Sequence, residues 1–225
     1  MERIAADLWR WTGRHPEWHP GAFGAEVACF ALRAGDTTIL IDPLVVGDEQ
    51  AILARLDGIV AGRVEILITI PYHARSAEML WRRYRSDHET TIRGHRLVTK
   101  RLADTSGFRE LSPGAELPGG VRAHAIGKPR RSEMPLELPS HRALAFGDAV
   151  VEVAGRLRVW ELPAETERRR EWYEDRFLPT LRPLAALDVD RVLVTHGEPI
   201  MSGGAAAVAA ALEAPPWHRK LGLTG

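Results

Sequence analysis

Cysteine is nearly absent from this chain of 225 residues. Cys29 stands alone, so no intrachain disulfide can form. No apolar stretch approaches the roughly 18 residues that cross a bilayer, and no membrane partner is expected. The opening MERIAADLWRW has no basic stretch followed by an apolar run. No signal peptide is therefore expected, and the expected compartment is the cytoplasm. Net charge is also lacking, since 30 Lys and Arg balance 30 Asp and Glu. A general nucleic-acid binder usually carries a basic excess, so no nucleic-acid partner is expected. Lysine is confined to Lys100, Lys128 and Lys220. That scarcity reads as coding bias rather than as a functional signal. Missing as well are a G-x-S-x-G nucleophile elbow, a phosphate loop and a dinucleotide fingerprint.

What is present suits an ordinary globular protein, with 45% apolar and 27% charged residues. A chain this long buries roughly 70% of its unfolded surface without staples. One domain over residues 1–225 is expected. LWRWTG (8–13) alternates weakly, as a first strand does, and a Pro/Gly turn region follows at 14–24. Residues 26–33 and 37–41 form a predicted hairpin around the turn 34–36. DEQAILARLDGIVAG has helical apolar spacing at Ile52, Leu53, Leu56, Ile59 and Val60, with Gly62 as its stop. VEILITI is a predicted buried strand, SAEMLWRRYRS an amphipathic helix with Ser76 at its N-cap, and HRLVTK (95–100) a short strand. GVRAHAIG and RALAFGDAVVEVAG are further strand candidates flanking the Pro-rich KPRRSEMPLELPSH. ERRREWYEDRFLPTLRPLAAL is helical, with breaks near Pro179 and Pro183. DRVLVTHGEPI is a strand ending in a loop, and GGAAAVAAALEA a terminal helix. Strands in runs that later alternate with helices indicate a layered α/β fold.

The corner ILITIPYHARSAEML (66–80) passes from buried strand through a polar turn into a helix, which is a common address for an active site. Four segments together, from about Ala25 to Glu213, resemble the metallo-β-lactamase fold. TTILIDPL looks like the family's second hairpin strand, ending in Asp42. ILITIPYHARSA sits where the family carries T-H-x-H-x-D-H. LAFGDAVV looks like its strand ending in Gly-Asp, and RVLVTHGEP like its late strand ending in a ligand His. The resemblance implies a four-layer αββα sandwich, with two mixed sheets facing each other and helices outside. It also implies a pocket at the strand ends carrying Tyr72 to Arg75, Lys128, Asp148 and His196.

In that family, imidazoles and carboxylates hold two divalent metals, which activate a bridging water. Aligned on Thr69, the ligand positions of the motif carry Ile70, Tyr72, Ala74 and Arg75. The family's P-G-H segment matches IGK and leaves Lys128. Only Asp148 and His196 keep ligand-type side chains. A buried Asp148 without metals needs another counter-charge, and Arg75 and Lys128 are the expected ones. His73 sits at an x position of the motif, and by default points away. If the turn is shifted, His73 or His124 joins Asp148 and His196 around a single zinc, iron or manganese ion. Asp42 is expected to brace the site, and Glu198 to cap or brace its own loop. Trp9, Trp11 and Trp18 either pack the first hairpin or wall a cleft mouth, and Lys128, Arg130 and Arg131 either grip an anion or lie in a solvated loop. Cys29 is expected to be buried and inert.

Three readings follow. The first is a divergent member that has lost the dinuclear site, with Asp148 and His196 as catalytic candidates. Tyr72, His73, Arg75 and Lys128 then line a pocket for a small ligand, an anion among the candidates, and no metal cofactor is needed. The second is a mononuclear metal hydrolase. The third is a non-catalytic scaffold or partner-binding protein, for which a Trp-rich edge would support a homodimer.

Overall fold

The computed structural model describes residues 1–19, 23–161 and 166–218. Residues 20–22 of the expected Pro/Gly turn lie outside them. The first half of the chain builds one seven-stranded sheet in strict chain order. Its strands are β1 (Glu2–Ala5), β2 (Leu8–Arg14), β3 (Glu26–Ala34), β4 (Thr37–Ile41), β5 (Arg63–Ile68), β6 (Thr90–Gly94) and β7 (Phe108–Glu110). β1 to β4 are antiparallel neighbours, while β4 to β7 run parallel. Parallel strands need crossovers, which here include α1 (Glu49–Ile59) and α2 (Ala77–Tyr84). The second half gives β8 (Arg122–Ala123), β9 (Leu136–Leu138) and β10 (Ala143–Phe146), then the separate hairpin β11 (Val150–Val153) and β12 (Arg156–Val159). Next come α3 (Glu167–Trp172), α4 (Leu178–Ala185), β13 (Arg191–Val194) and α5 (Gly204–Glu213). The second sheet runs β13-β10-β9-β8, with β10 and β13 parallel.

Three apolar seams separate four layers. Leu56, Leu80, Trp81 and Tyr84 of α1 and α2 pack on Cys29, Leu40, Ile66, Ile68 and Ile92 of the first sheet. The opposite face of that sheet, with Phe30, Leu32, Ile39, Ile41 and Leu67, meets Leu136, Leu138, Ala143, Ala145 and Leu193 of the second. Leu144, Phe146, Val192 and Val194 on the far side are covered by Phe177, Leu181, Leu184, Val208 and Leu212. This is the expected αββα sandwich. It explains why TTILI and VEILITI are mostly apolar without a polar alternation, because a strand covered on both faces has no polar side to show; the buried Glu65 of the second is answered by Arg93 at 2.7 Å. Among the described residues no helix is long and apolar enough to cross a membrane.

Several local expectations shift. HRLVTK is not a strand, because Arg96–Arg101 is a 3-10 helix. The strand is the preceding TTIRG, in parallel register with β5. His95 ends it by accepting a hydrogen bond at Nδ1 from the Leu97 N–H. GVRAHAIG shrinks to β8, and its partner β9 lies inside the Pro-rich segment, which was expected to be a loop. The long helix changes to a π-helical turn at Tyr173–Phe177 and continues through Pro183. Pro179 has no N–H to offer the carbonyl of Asp175, which favours that widening. Trp11 is core, donating its indole N–H to the Leu44 carbonyl. Ser76 precedes α2, but its hydroxyl accepts from the Val45 N–H rather than capping the helix.

Two glycines near the end of α1 have opposite needs. Gly62 has φ +65°, and a Cβ there would lie 1.8 Å from the Asp36 carbonyl oxygen. Gly58 lies within α1 and a Cβ there would meet open space. Gly62→Ala should therefore destabilise by more than about 1 kcal/mol, and Gly58→Ala should stabilise by about 0.5–1 kcal/mol. Urea titration of the two variants checks both signs.

Candidate functional site

The strand ends of both sheets open on the same side and deliver the site residues there. Asp42 directly follows β4, and its backbone takes φ +47°. Its carboxylate accepts the Thr69 N–H at 2.8 Å and the Thr69 hydroxyl, tying the ends of β4 and β5 together. Pro71 then starts a single 3-10 turn, Pro71–Ala74, closed by the His73 N–H on the Ile70 carbonyl at 2.8 Å. Three residues per turn place His73 back on the side of Ile70. His73 is therefore buried, while Tyr72 points outward at 64% exposure.

His73 bridges two carboxylates. Its Nδ1 lies 2.8 Å from Asp42 Oδ2, and its Nε2 lies 3.4 Å from Asp148 Oδ1. A carboxylate accepts, so the ring nitrogen facing Asp42 carries a proton. His196 Nε2 approaches the same Asp148 oxygen at 3.5 Å. The result is a row of close contacts, Asp42–His73–Asp148–His196, across the two sheets. Only the Asp42–His73 step has hydrogen-bond geometry, and the enclosed Asp148 Oδ1 lies between the imidazoles without a hydrogen bond among the described residues. Burial and the Arg75 charge push the His73 pKa down, but the Asp42 and Asp148 carboxylates outweigh them and hold it above its usual value. Burial would raise Asp148, yet the His73 charge and the contacts with both imidazoles hold it well below the usual carboxylate range. Burial dominates at His196 and lowers its pKa. His196 is thus a neutral imidazole whose Nδ1 has no hydrogen-bond partner among the described residues.

The turn carrying Asp148 has its own support. Glu133 Oε1 accepts the Gly147 and Ala149 N–H groups, each at 3.0 Å, from a fully buried position. Gly147 is required there, because a Cβ would lie 2.6 Å from the Thr69 hydroxyl oxygen. Burial pushes the Glu133 pKa up to about 7, opposed by Arg130 and reinforced by Asp148. Arg10 braces the loop after His196, donating to the Gly197 carbonyl at 3.2 Å and to Glu198 at 2.8 Å. Aromatic rings cover His196, with the Phe23 centroid at 4.7 Å and that of Trp160 at 5.6 Å.

The expected counter-charges for Asp148 are elsewhere. Arg75, at φ +36°, turns away from the carboxylate and donates to the Asp42 carbonyl at 3.0 Å. Lys128 is exposed and makes no ion pair among the described residues. The positive partner of Asp148 is His73, because the 3-10 turn rotates it inward and carries Arg75 past. His124 pairs with Glu137 at 3.1 Å and takes no part. Arg130 donates to the Trp160 carbonyl at 2.9 Å and lies over its ring. Glu133, His15, Phe23 and Trp160 were not singled out from sequence. Glu133 alone left a signal, as an acid among apolar residues and prolines in EMPLELP. Cys29 is buried, its thiol pushed up to about 11 by burial, and so is no nucleophile.

The same architecture recurs in known structures. The DIM-1 metallo-β-lactamase aligns with a TM-score of 0.62, covering 94% of this chain and 95% of its own, at 11% identity. A β-lactamase domain protein from Burkholderia ambifaria gives a TM-score of 0.63 at 16% identity, covering 93% and 74%. A metallo-β-lactamase family protein from Thermus thermophilus gives 0.56 at 17%, covering 94% and 78%. The chain has the metallo-β-lactamase fold. No protein-family model and no curated protein matches its sequence. This member of the fold departs from the motif at the corner where His73 sits. Among its described residues, no group of three or more His, Cys, Asp or Glu side chains is placed to hold a metal ion.

The raised Glu133 pKa has a checkable sign. A neutral Glu133 stabilises fully below its unfolded value of 4.5, and that contribution is lost as pH rises through about 7. Glu133→Gln keeps the Oε1 acceptor and removes the ionisation. Its stability relative to the parent should increase from about pH 5 to about pH 8, read from denaturation midpoints.

Proposed function

We propose that the protein is a divergent member of this fold that works without the dinuclear metal centre. It binds a small ligand in the ancestral pocket and retains a hydrolase-like base. One observation carries the reading: both ring nitrogens of His73 face carboxylate oxygens, Asp42 Oδ2 at 2.8 Å and Asp148 Oδ1 at 3.4 Å. An imidazole held doubly protonated is a counter-cation for Asp148, and a protonated nitrogen has no lone pair for a metal. The dinuclear centre does not fit a corner in which His73 is clamped in this way and Ile70, Tyr72, Ala74 and Arg75 occupy ligand positions. Arg75 also adds a permanent positive charge beside His73.

The remaining chemistry belongs to His196 and Asp148. Asp148 lies against the ring at Nε2, which leaves the Nδ1 lone pair as the base. That atom is enclosed and unpaired among the described residues, so the proton it takes comes from a water admitted to it. This is the division of labour between carboxylate and imidazole in acyl-transfer sites. Neither Cys29 nor Ser76 is free to act as a nucleophile, so attack by water is the consistent route.

Two measurements test this. Metal analysis of purified protein should find well under one zinc, iron or manganese ion per chain, and chelator should leave the melting temperature unchanged. About one tightly held ion per chain would overturn the reading and make His73, Asp148 and His196 its ligands. Hydrolysis of an activated ester such as p-nitrophenyl acetate should depend on neutral His196. Its lowered pKa predicts a rate that falls only below the ordinary histidine value of 6.5. His196→Gln should lower the rate by about 10²-fold or more and abolish that limb.

A further inference from the structure

Beside the His73 corner lies a cleft of about 270 Å³ whose lining includes Leu44, Val46, Tyr72, Arg75, Arg101 and the acidic Glu17. Its volume suits a metabolite-sized molecule rather than a polymer. Leu44 and Val46 offer an apolar wall. Tyr72 is the most exposed large apolar side chain among the described residues, and the Arg101 guanidinium lies 4.6 Å from its ring centre. An aromatic face exposed at a pocket rim and already backed by a cation is a stacking platform.

The charge in the cleft is unbalanced. Arg75 makes no ion pair among the described residues. Its Nη1 donates to the Asp42 carbonyl, while Nε and Nη2 are enclosed and have no acceptor. Among the described residues Arg101 has one ion-pair partner, Glu17 at 3.5 Å, and that carboxylate is two-thirds exposed. An exposed ion pair of this kind is weak and exchangeable. His15, on the same wall, has its pKa lowered by burial and then by the Arg75 and His73 charges, which reports a positive potential there. Arg75 Nε and Nη2 are closed off from solvent, so Arg75 lends the cleft wall an uncompensated charge, and Arg101 at the rim is the cation that an entering oxyanion meets.

We infer that this cleft binds a small organic oxyanion, a carboxylate or phosphate monoester on a flat apolar body. Arg75 and Arg101 take the charge and Tyr72 stacks on the body. This rests on the reading of the Tyr72 to Arg75 corner as part of a ligand site and names the ligand class; the cleft is lined by neither Asp148 nor His196, and none of it requires catalysis. Bound so, the molecule would lie beside His73 and within the field of the chain that ends at His196.

The test uses the full chain with benzoate and phenyl phosphate as probes. Benzamide is the neutral control, and acetate and inorganic phosphate are the bare anions. Benzoate or phenyl phosphate should raise the unfolding midpoint by a few degrees, benzamide should not, and the bare anions should bind more weakly than their aryl counterparts. The tighter of the two aryl probes identifies carboxylate or phosphate. By calorimetry, Arg101→Gln and Tyr72→Ala should each weaken the better probe by about tenfold. Both side chains lie at the rim, so these variants keep the fold. Arg75→Gln should weaken it further, and if that variant unfolds the two rim variants decide. Absence of binding by both aryl anions, equal binding of benzamide, or affinity unchanged in Arg101→Gln would overturn the inference. Bound metal or absent ester hydrolysis would strike the preceding proposal and leave this one standing.

Discussion

A largely enclosed carboxylate at the strand ends of the two sheets dictates the rest of this site. Asp148 sits at the end of β10 with one oxygen enclosed, and an uncompensated charge there would cost more than a domain can spare. Two imidazoles meet that need from opposite sides, His73 from the first sheet and His196 from the second. Each is held in turn by what lies behind it, Asp42 behind His73 and the Arg10-braced loop behind His196. The Glu133 carboxyl fixes the backbone that carries Asp148. The network therefore works as a polar rivet across the sandwich as well as a site, because its His73–Asp148 link joins the end of the first sheet to the end of the second.

The same constraint separates two roles for histidine. Flanked by two carboxylates, His73 is raised and serves as a cation. With one carboxylate and aromatic walls, His196 is lowered and stays neutral. Environments that push similar groups apart are how one pocket acquires both a fixed charge and a base. Arg75 belongs to neither role. It is engaged by a backbone carbonyl and leaves its charge to the adjoining cleft.

Much of the fold was legible because strands covered on both faces leave unmistakable runs. TTILI, VEILITI and RVLV are such runs, and the 26–41 hairpin was placed with its turn. HRLVTK failed because its apolar residues sit on a 3-10 turn, a period too short to separate from strand alternation over six residues. β9 failed because prolines on either side of Leu136–Leu138 look like loop, whereas they bound a strand whose pairing partners lie elsewhere in the chain. At β9, tertiary pairing overrode local composition.

By itself, the sequence determined a layered α/β fold, the strand-to-helix corner after Thr69, and the positions of Asp148 and His196 at strand ends, while the αββα order followed from the resemblance to the family. Those follow from local periodicity and from motif order along the chain. Which side chain answers Asp148 was decided only by tertiary structure. In a 3-10 turn each residue rotates by about 120°, so a shift of one position exchanges His73 for a neighbour. A cation is also chosen by distance across the sandwich and not by its place in a motif. Arg75 and Lys128 carry the right charge, but His73 alone reaches both carboxylates at once.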